Sequence, residues 1–366
     1  MFATRGFGSD NHSGVPDEIW RALQFANSGF AAAYGTDALT QQCDELWRRL
    51  FGPETQSYFV FNGTAANVLS LAALMRPHHS VLVSSMSHLH VDECGAPERV
   101  WGGKLIPIET PDGKLRVEDL RPHLIRRGDQ HHSQVKAVSI TQPTEVGTLY
   151  SLEELRELAN FCQSEGLWLH MDGARLVIAA HRLGLKDFRK LTEGVDVLSF
   201  GGTKNALVFG EAVLFLSAKA RETARDFAFV RKQLMQLPSK TRFIAAQFLA
   251  LLDDTTLQGE RLAQPNWQVW ASQACAMADR LRFGLESVRS VKITQLTQAN
   301  SVFTIFPRDW LKTLREHSFF YVWDEKTHEC RLMCSWSTQA SEVDEFLNEV
   351  RRLELASSLP SSGGSS

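Results

Sequence analysis

Over its first 220 residues the chain alternates short, near-continuous apolar runs with helical patterns, and this alternation narrows the fold more than any other feature. The runs are Gln56–Phe61 (QSYFVF), Ser80–Ser84, Lys104–Ile108, Gln134–Thr141 (QVKAVSIT), Leu167–Met171, Val195–Phe200 and Ala212–Leu216. Strands that are apolar on both sides need cover on both faces, as in a mostly parallel sheet wrapped by helices. AANVLSLAALM after the first run, and Ser151–Glu165 with its Ser-x-x-Glu opening, read as two of those helices. Ala212–Leu216 follows Val195–Phe200 so closely that a hairpin or an adjacent strand is expected. Beyond about residue 220 a long helical stretch gives way to short strands, Val302–Phe306 and Cys330–Trp336, and a last helix, Glu342–Leu353. The expected organisation is α/β. A short N-terminal arm (1–15) precedes a large domain (16–250) and a smaller C-terminal α+β domain (251–355). The Gly/Ser-rich tail (356–366) is too poor in apolar surface to offset its ordering entropy and is expected to be disordered.

With 43% hydrophobic and 22% charged residues, the 366-residue chain has the make-up of a globular protein. A formal net charge of -3 leaves no basic surplus for binding nucleic acid by counterion release. No run approaches the ~20 apolar residues that span a bilayer. The opening MFATRGFGSDNHSG has no apolar h-region, so a secretory leader is not expected and the cytoplasm is. Six scattered cysteines without a CxxC pair read as reduced thiols rather than a disulfide frame, and no metal site is expected.

Three segments carry chemistry. Asn62-Gly63-Thr64-Ala65-Ala66-Asn67 lies between a strand and a helix, where free N–H groups and the helix dipole suit a phosphate. His170-Met171-Asp172-Gly173-Ala174-Arg175 ends an apolar strand, the edge at which open α/β sheets bind ligands. Ser199-Phe200-Gly201-Gly202-Thr203-Lys204-Asn205 sets a lysine after two glycines at the end of another buried strand. A sheltered lysine there is able to form a Schiff base. Taken singly, each has a plainer reading: a strand–helix turn, a helix-capping aspartate, a solvated lysine. Together they meet the needs of pyridoxal 5'-phosphate: an anchor for its phosphate, an anion for its ring nitrogen and an amine for its aldehyde.

In the order and spacing of these segments the sequence resembles the fold-type I pyridoxal-phosphate enzymes, and within them the L-threonine aldolase/β-eliminating lyase family. Ser9-Asp10-Asn11, Tyr34-Gly35-Thr36-Asp37, His88 before Asp92-Glu93-Cys94-Gly95-Ala96, and Arg331 in RLMCSW extend the likeness over about residues 7–350. SFGGTKN followed by Gly210-Glu211-Ala212 is similar to the bacterial low-specificity branch.

The resemblance implies roles. Lys204 is the Schiff-base lysine, Asp172 pairs with the pyridine nitrogen, and Arg175 lies near the ring's phenolic oxygen on the substrate side. His88 stacks on the ring and takes part in proton transfer at the substrate hydroxyl. Gly63 and Thr64 hold the phosphate, with Thr203 beside them and Arg242, or alternatively Lys240, reaching it across a subunit interface. Arg331 and Ser9 hold the substrate carboxylate, and Tyr34 lines the site. The implied reaction is retro-aldol cleavage of a β-hydroxy-α-amino acid to glycine and an aldehyde, in a homodimer or homotetramer with its active site between subunits. β-Elimination, transamination and racemisation share the fold and the lysine, so they stay open. A metal site made of His88, His90 and Asp92 on one face of a strand is the competing reading, and it leaves Lys204 and Asp172 without a task.

Overall fold

The computed structural model describes residues 6–358. Positions 1–5 of the expected arm and 359–366 of the expected tail lie outside the described residues. Seven strands form one sheet: β1 (Gln56–Val60), β2 (His79–Ser84), β3 (Lys104–Ile108), β4 (Gln134–Thr141), β5 (Trp168–Gly173), β6 (Val197–Phe200) and β7 (Glu211–Phe215). Their spatial order is β1-β7-β6-β5-β4-β2-β3. Neighbours from β3 to β6 run parallel, whereas β7 runs antiparallel to both β6 and β1. Register puts Thr141 beside Asp172, and Asp172 beside Ser199.

The helices of this unit are α1 (Asp17–Ala26), α2 (Ala38–Phe51), α3 (Gly63–Leu74), α4 (His88–Val91), α5 (Ala96–Trp101), α6 (Val117–Leu120), α7 (Leu152–Ser164), α8 (Leu176–Arg182), α9 (Ala218–Gln233) and α10 (Arg242–Leu252). Every residue of β6 and β7 is buried, as two covered faces require. On one face α3, α5 and α9 meet Val60, Val81, Val83, Val213 and Phe215. On the other, Trp47 of α2 sits 5.2 Å from both Phe200 and Phe248, and Phe59 stacks on Phe248 at 5.5 Å. Ser151 and Glu154 close the capping box that their spacing predicts at α7.

The chain divides into two compact units, residues 14–269 and residues 1–13 with 270–366. Patterning set the boundary near 250. Residues 253–269 instead stay with the larger unit, because Trp267 packs on Phe188 at 5.1 Å and Asn266 donates to the Ala250 carbonyl at 2.8 Å. Helix α11 (Asn266–Glu286) carries the chain onward. The smaller unit has an antiparallel sheet in the order β10-β11-β9-β8, made of β8 (Lys292–Ile293), β9 (Ser301–Ile305), β10 (Tyr321–Asp324) and β11 (Glu329–Met333). With it go α12 (Trp310–His317) and α13 (Ala340–Ser358), so positions 356–358 of the expected tail are helical. Phe7, Leu281, Val302, Phe306, Trp310, Phe320 and Phe346 fill its core. The N-terminal segment is stitched in by Phe7 N–H to the Phe319 carbonyl and Met333 N–H to the Phe7 carbonyl, both 2.7 Å.

Candidate active site

Asp172 sits at the C-terminal end of β5 with 6% exposure. Its Oδ1 accepts the Ala174 N–H at 2.9 Å, and its Oδ2 accepts from the Asn67 amide at 2.7 Å. The same Asn67 nitrogen donates to Glu93 Oε1 at 3.3 Å, and that oxygen also meets His88 Nδ1 at 2.9 Å. A continuous run therefore links His88, Glu93, Asn67 and Asp172. The Glu93 carboxylate on Nδ1 holds the His88 ring above the usual histidine range, against burial and the Lys204 charge, which pull it down. The same contact favours the Nδ1–H tautomer and leaves Nε2 as the nitrogen that exchanges a proton.

His88 opens the short helix α4, so His88, His90 and Asp92 do not share one face of a strand. Its backbone N–H donates to Glu145 Oε1 at 2.8 Å, which also accepts the Thr141 hydroxyl at 2.8 Å. Burial pushes the Glu145 acid up. Glu93 Oε2 and Glu145 Oε2 are buried without a hydrogen-bond partner among the described residues.

Helix α3 presents both Asn67 and the candidate anion cradle. Asn62 caps it: its side chain takes the Ala65 N–H at 2.9 Å and its carbonyl the Ala66 N–H at 3.1 Å. The N–H groups of Gly63 and Thr64 keep no protein partner among the described residues. A Cβ on Gly63 would meet nothing within 4 Å, so the helix start is open at that position. Two free amides at a twelve-residue helix start fit a phosphate. One turn on, Ser70 lies 3.4 Å from Ser199, whose hydroxyl meets His170 Nε2 at 3.0 Å; His170 Nδ1 meets Ser139 at 2.8 Å. Burial pulls the His170 ring down to about 4, so it stays neutral in this chain of hydroxyls.

Lys204 stands in the turn Thr203–Asn205 between β6 and β7. Its charge acts on both His88 and Glu211, and the charge of Asp172 acts on His88, so these groups form one electrostatic cluster. Both glycines ahead of the lysine are sterically required: a Cβ on Gly201 would lie 2.1 Å from the Ala174 carbonyl oxygen, and one on Gly202 the same distance from that of Gly210. Arg175, half-buried, caps α8 just after Asp172. The Thr203 N–H donates to Glu211 Oε1 at 3.4 Å.

The remaining expected residues make other contacts. Tyr34 is 53% exposed, and its N–H donates to the Ser239 carbonyl at 2.9 Å, next to exposed Lys240. Arg242 opens α10 with its guanidinium 5.2 Å from the Phe243 ring centroid. None of the described hydrogen bonds or ion pairs joins Tyr34, Lys240 or Arg242 to Lys204. Ser9 and Arg331 belong to the smaller unit, where Arg331 donates to the Gly8 carbonyl at 3.2 Å and lies over Trp323 at 4.5 Å. Asn67, Glu93 and Glu211 stand inside segments that the sequence singles out, yet received no role there. Glu145, in QPTEVG, carried no signal beyond a lone acid near a strand end.

Comparison with known proteins gives a consistent set of likenesses. A family model described as beta-eliminating lyase matches residues 6–307. A low specificity L-threonine aldolase of Pseudomonas aeruginosa is 39% identical over 350 residues, covering 95% of this chain and 97% of the relative. One from another Pseudomonas strain is 38% identical over 348 residues, covering 94% and 96%. The solved threonine aldolase of Leishmania major superposes with a TM-score of 0.87 at 27% identity, over 95% of this chain and 99% of that one.

Proposed function

The chain belongs to the beta-eliminating lyase family, and on that premise we propose that it cleaves L-threonine, L-allo-threonine and related β-hydroxy-α-amino acids to glycine and an aldehyde. The observation that carries this reading is the cluster of Lys204, Asp172 and His88 at the C-terminal edge of the sheet, beside a helix start with two free amides. That set fits pyridoxal 5'-phosphate. When bound, the cofactor supplies an electron sink for the pair left on the α-carbon as the Cα–Cβ bond breaks.

The chain's own residues supply the rest. The Gly63 and Thr64 amides hold the phosphate, with Thr203, Arg242 and Lys240 as further donors toward it. Lys204 holds the aldehyde carbon, Asp172 keeps the ring nitrogen protonated, and Arg175 binds near the phenolic oxygen. Asn67 keeps the Asp172 carboxylate in place by taking one of its oxygens. His88 Nε2 receives the proton of the substrate hydroxyl as the aldehyde leaves. Arg331 offers a planar fork for the substrate carboxylate, with Ser9 beside it and Tyr34 lining the entrance. Holding that carboxylate still orients the breaking bond, which is worth more to the rate than added affinity.

A partner subunit belongs in this reading. Phe30, Tyr34, Phe61, Phe209, Phe229 and Met235 are exposed; Phe61 precedes the Gly63–Thr64 turn and stacks on Phe209 at 6.4 Å. An apolar fringe of this kind suits cover by a second copy in a homodimer or homotetramer. No helix among the described residues is long and apolar enough to cross a membrane.

The test is aldehyde release from L-threonine, L-allo-threonine and L-phenylserine with added pyridoxal phosphate, beside Lys204→Ala. Release by the native chain and none by the variant supports the reading. Cofactor binding without aldehyde from any of the three turns it toward β-elimination, transamination or racemisation.

A further inference from the structure

Gly210-Glu211-Ala212 stands out in the sequence and has no task in the reaction above. Glu211 opens β7 and is buried, with 6% exposure. Its Oε2 accepts the Gly202 N–H, and its Oε1 accepts the Thr203 N–H at 3.4 Å. These are the two peptide groups immediately ahead of Lys204. On the far side of the turn, Asn205 donates its amide to the Gly201 carbonyl at 2.7 Å and to the Ala174 carbonyl at 3.2 Å. The lysine thus stands between two clamps, one of acceptors and one of donors.

The clamps answer a local weakness. Gly201 and Gly202 must be glycine to pass the backbones of Ala174 and Gly210, and paired glycines leave a chain with much freedom to lose. Holding such a turn requires hydrogen bonds from outside it. A carboxylate is an expensive way to accept two amide bonds in a dry interior, as a raised acid at about 7 shows. A neutral amide would accept one of them without that cost. What the carboxylate adds is charge, and Lys204 is a cation whose charge acts on it.

We propose that Glu211 is the positioning residue of Lys204: it fixes the Gly202–Thr203 turn on which the lysine stands, and its carboxylate bears on the ammonium group through charge. This rests on the assignment of Lys204 above. That charge favours the ammonium form of the amine, and the fixed turn keeps the side chain aimed for the cofactor's return.

The experiment uses the full-length chain as Glu211→Gln, with Glu211→Ala as its companion. The first readout is acylation of Lys204 in cofactor-free protein by a small amine-reactive ester, followed by peptide mass spectrometry against exposed Lys240 as internal reference. Loss of the neighbouring anion exposes more free amine, so Glu211→Gln should acylate at Lys204 about threefold to tenfold faster relative to the reference. The second is retention of pyridoxal phosphate in dialysis, expected to weaken about tenfold in Glu211→Gln and further in Glu211→Ala. An unchanged acylation ratio in a Glu211→Gln protein that melts like the parent overturns the proposal. So does unchanged retention in both variants. If Glu211→Ala does not fold, Glu211→Gln alone decides. A native chain that neither binds the cofactor nor releases aldehyde instead brings down the assignment of Lys204, an outcome separable from either of these.

Discussion

Replacing Glu93 by glutamine isolates the contact that sets the His88 ring. In the native chain the Glu93 carboxylate is the largest influence on that ring and raises it, Asp172 adds a smaller push upward, and burial and Lys204 pull it down. A hydrogen bond to a charged partner contributes about 1.5–3 kcal/mol. The glutamine carbonyl still accepts, and the ring is one-third exposed, so roughly half that figure is lost after solvent screening. Protonated His88 loses that much of its hold on the proton, so the ring titrates lower than in the native chain. With the carboxylate gone, burial and Lys204 outweigh Asp172, so the ring should titrate below the ordinary value of about 6.5. The effect on stability follows in sign. A raised folded-state value means that protonated His88 stabilises the native chain below its unfolded value, a contribution lost as pH rises through the folded value. In Glu93→Gln the sign reverses, so the variant's deficit in urea unfolding is greater at pH 5.5 than at pH 8.5. Ring titration by NMR on histidine-labelled protein measures the shift directly, and the acid limb of aldehyde release should move down with it. A His88 titration that stays in place or rises in Glu93→Gln would refute the reasoning.

Three further perturbations test the frame of the site. Gly202→Ala puts a methyl 2.1 Å from the Gly210 carbonyl oxygen and 2.9 Å from Phe248, and should cost more than about 3 kcal/mol in urea unfolding. Gly63→Ala meets nothing within 4 Å; it should fold within about 0.5 kcal/mol of the parent while losing cofactor retention, and a large folding defect there would contradict an open cradle. Asn67→Ala leaves the Asp172 and Glu93 carboxylates without the amide between them. About 2–3 kcal/mol of unfolding free energy should go with it, and a change below about 0.5 kcal/mol would show that the bridge is not needed.

The sequence made legible those parts of the site that lie in one stretch of chain. Asp172 and Lys204 each follow a buried strand and stand beside glycine, and both signals are local. Asn67 escaped assignment because its partner Asp172 is 105 positions away, and nothing in either segment encodes that meeting. Glu145 reaches His88 across 57 positions from a loop with no periodic pattern. His88 to Val91 alternates as a strand would, yet the segment forms one helical turn closed by the Val91 N–H on Ser87 and the Asp92 N–H on His88. Residues 253–266 (DDTTLQGERLAQPN) carry no apolar period, and Trp267 just beyond them packs on Phe188, a pairing that no local pattern announces. Tertiary pairing and single anchors of this kind have no one-dimensional signature.

The place of β7 in the sheet has a bearing on synthesis. It fills the slot between β1 and β6, and its partner β1 lies more than 150 residues earlier in the chain. At about 5–20 residues per second, β1 waits on the ribosome for roughly 8–30 s before the strand that covers its edge exists. Over that interval a row of unpaired backbone groups is exposed on an apolar strand, the condition under which chains aggregate. The lysine turn closes only when β7 docks, since Glu211 is its first residue. The turn therefore closes after Asn67, His88, Glu93 and Asp172 have been made, and a nascent chain cut short before residue 211 lacks the carboxylate that accepts the Gly202 and Thr203 N–H groups.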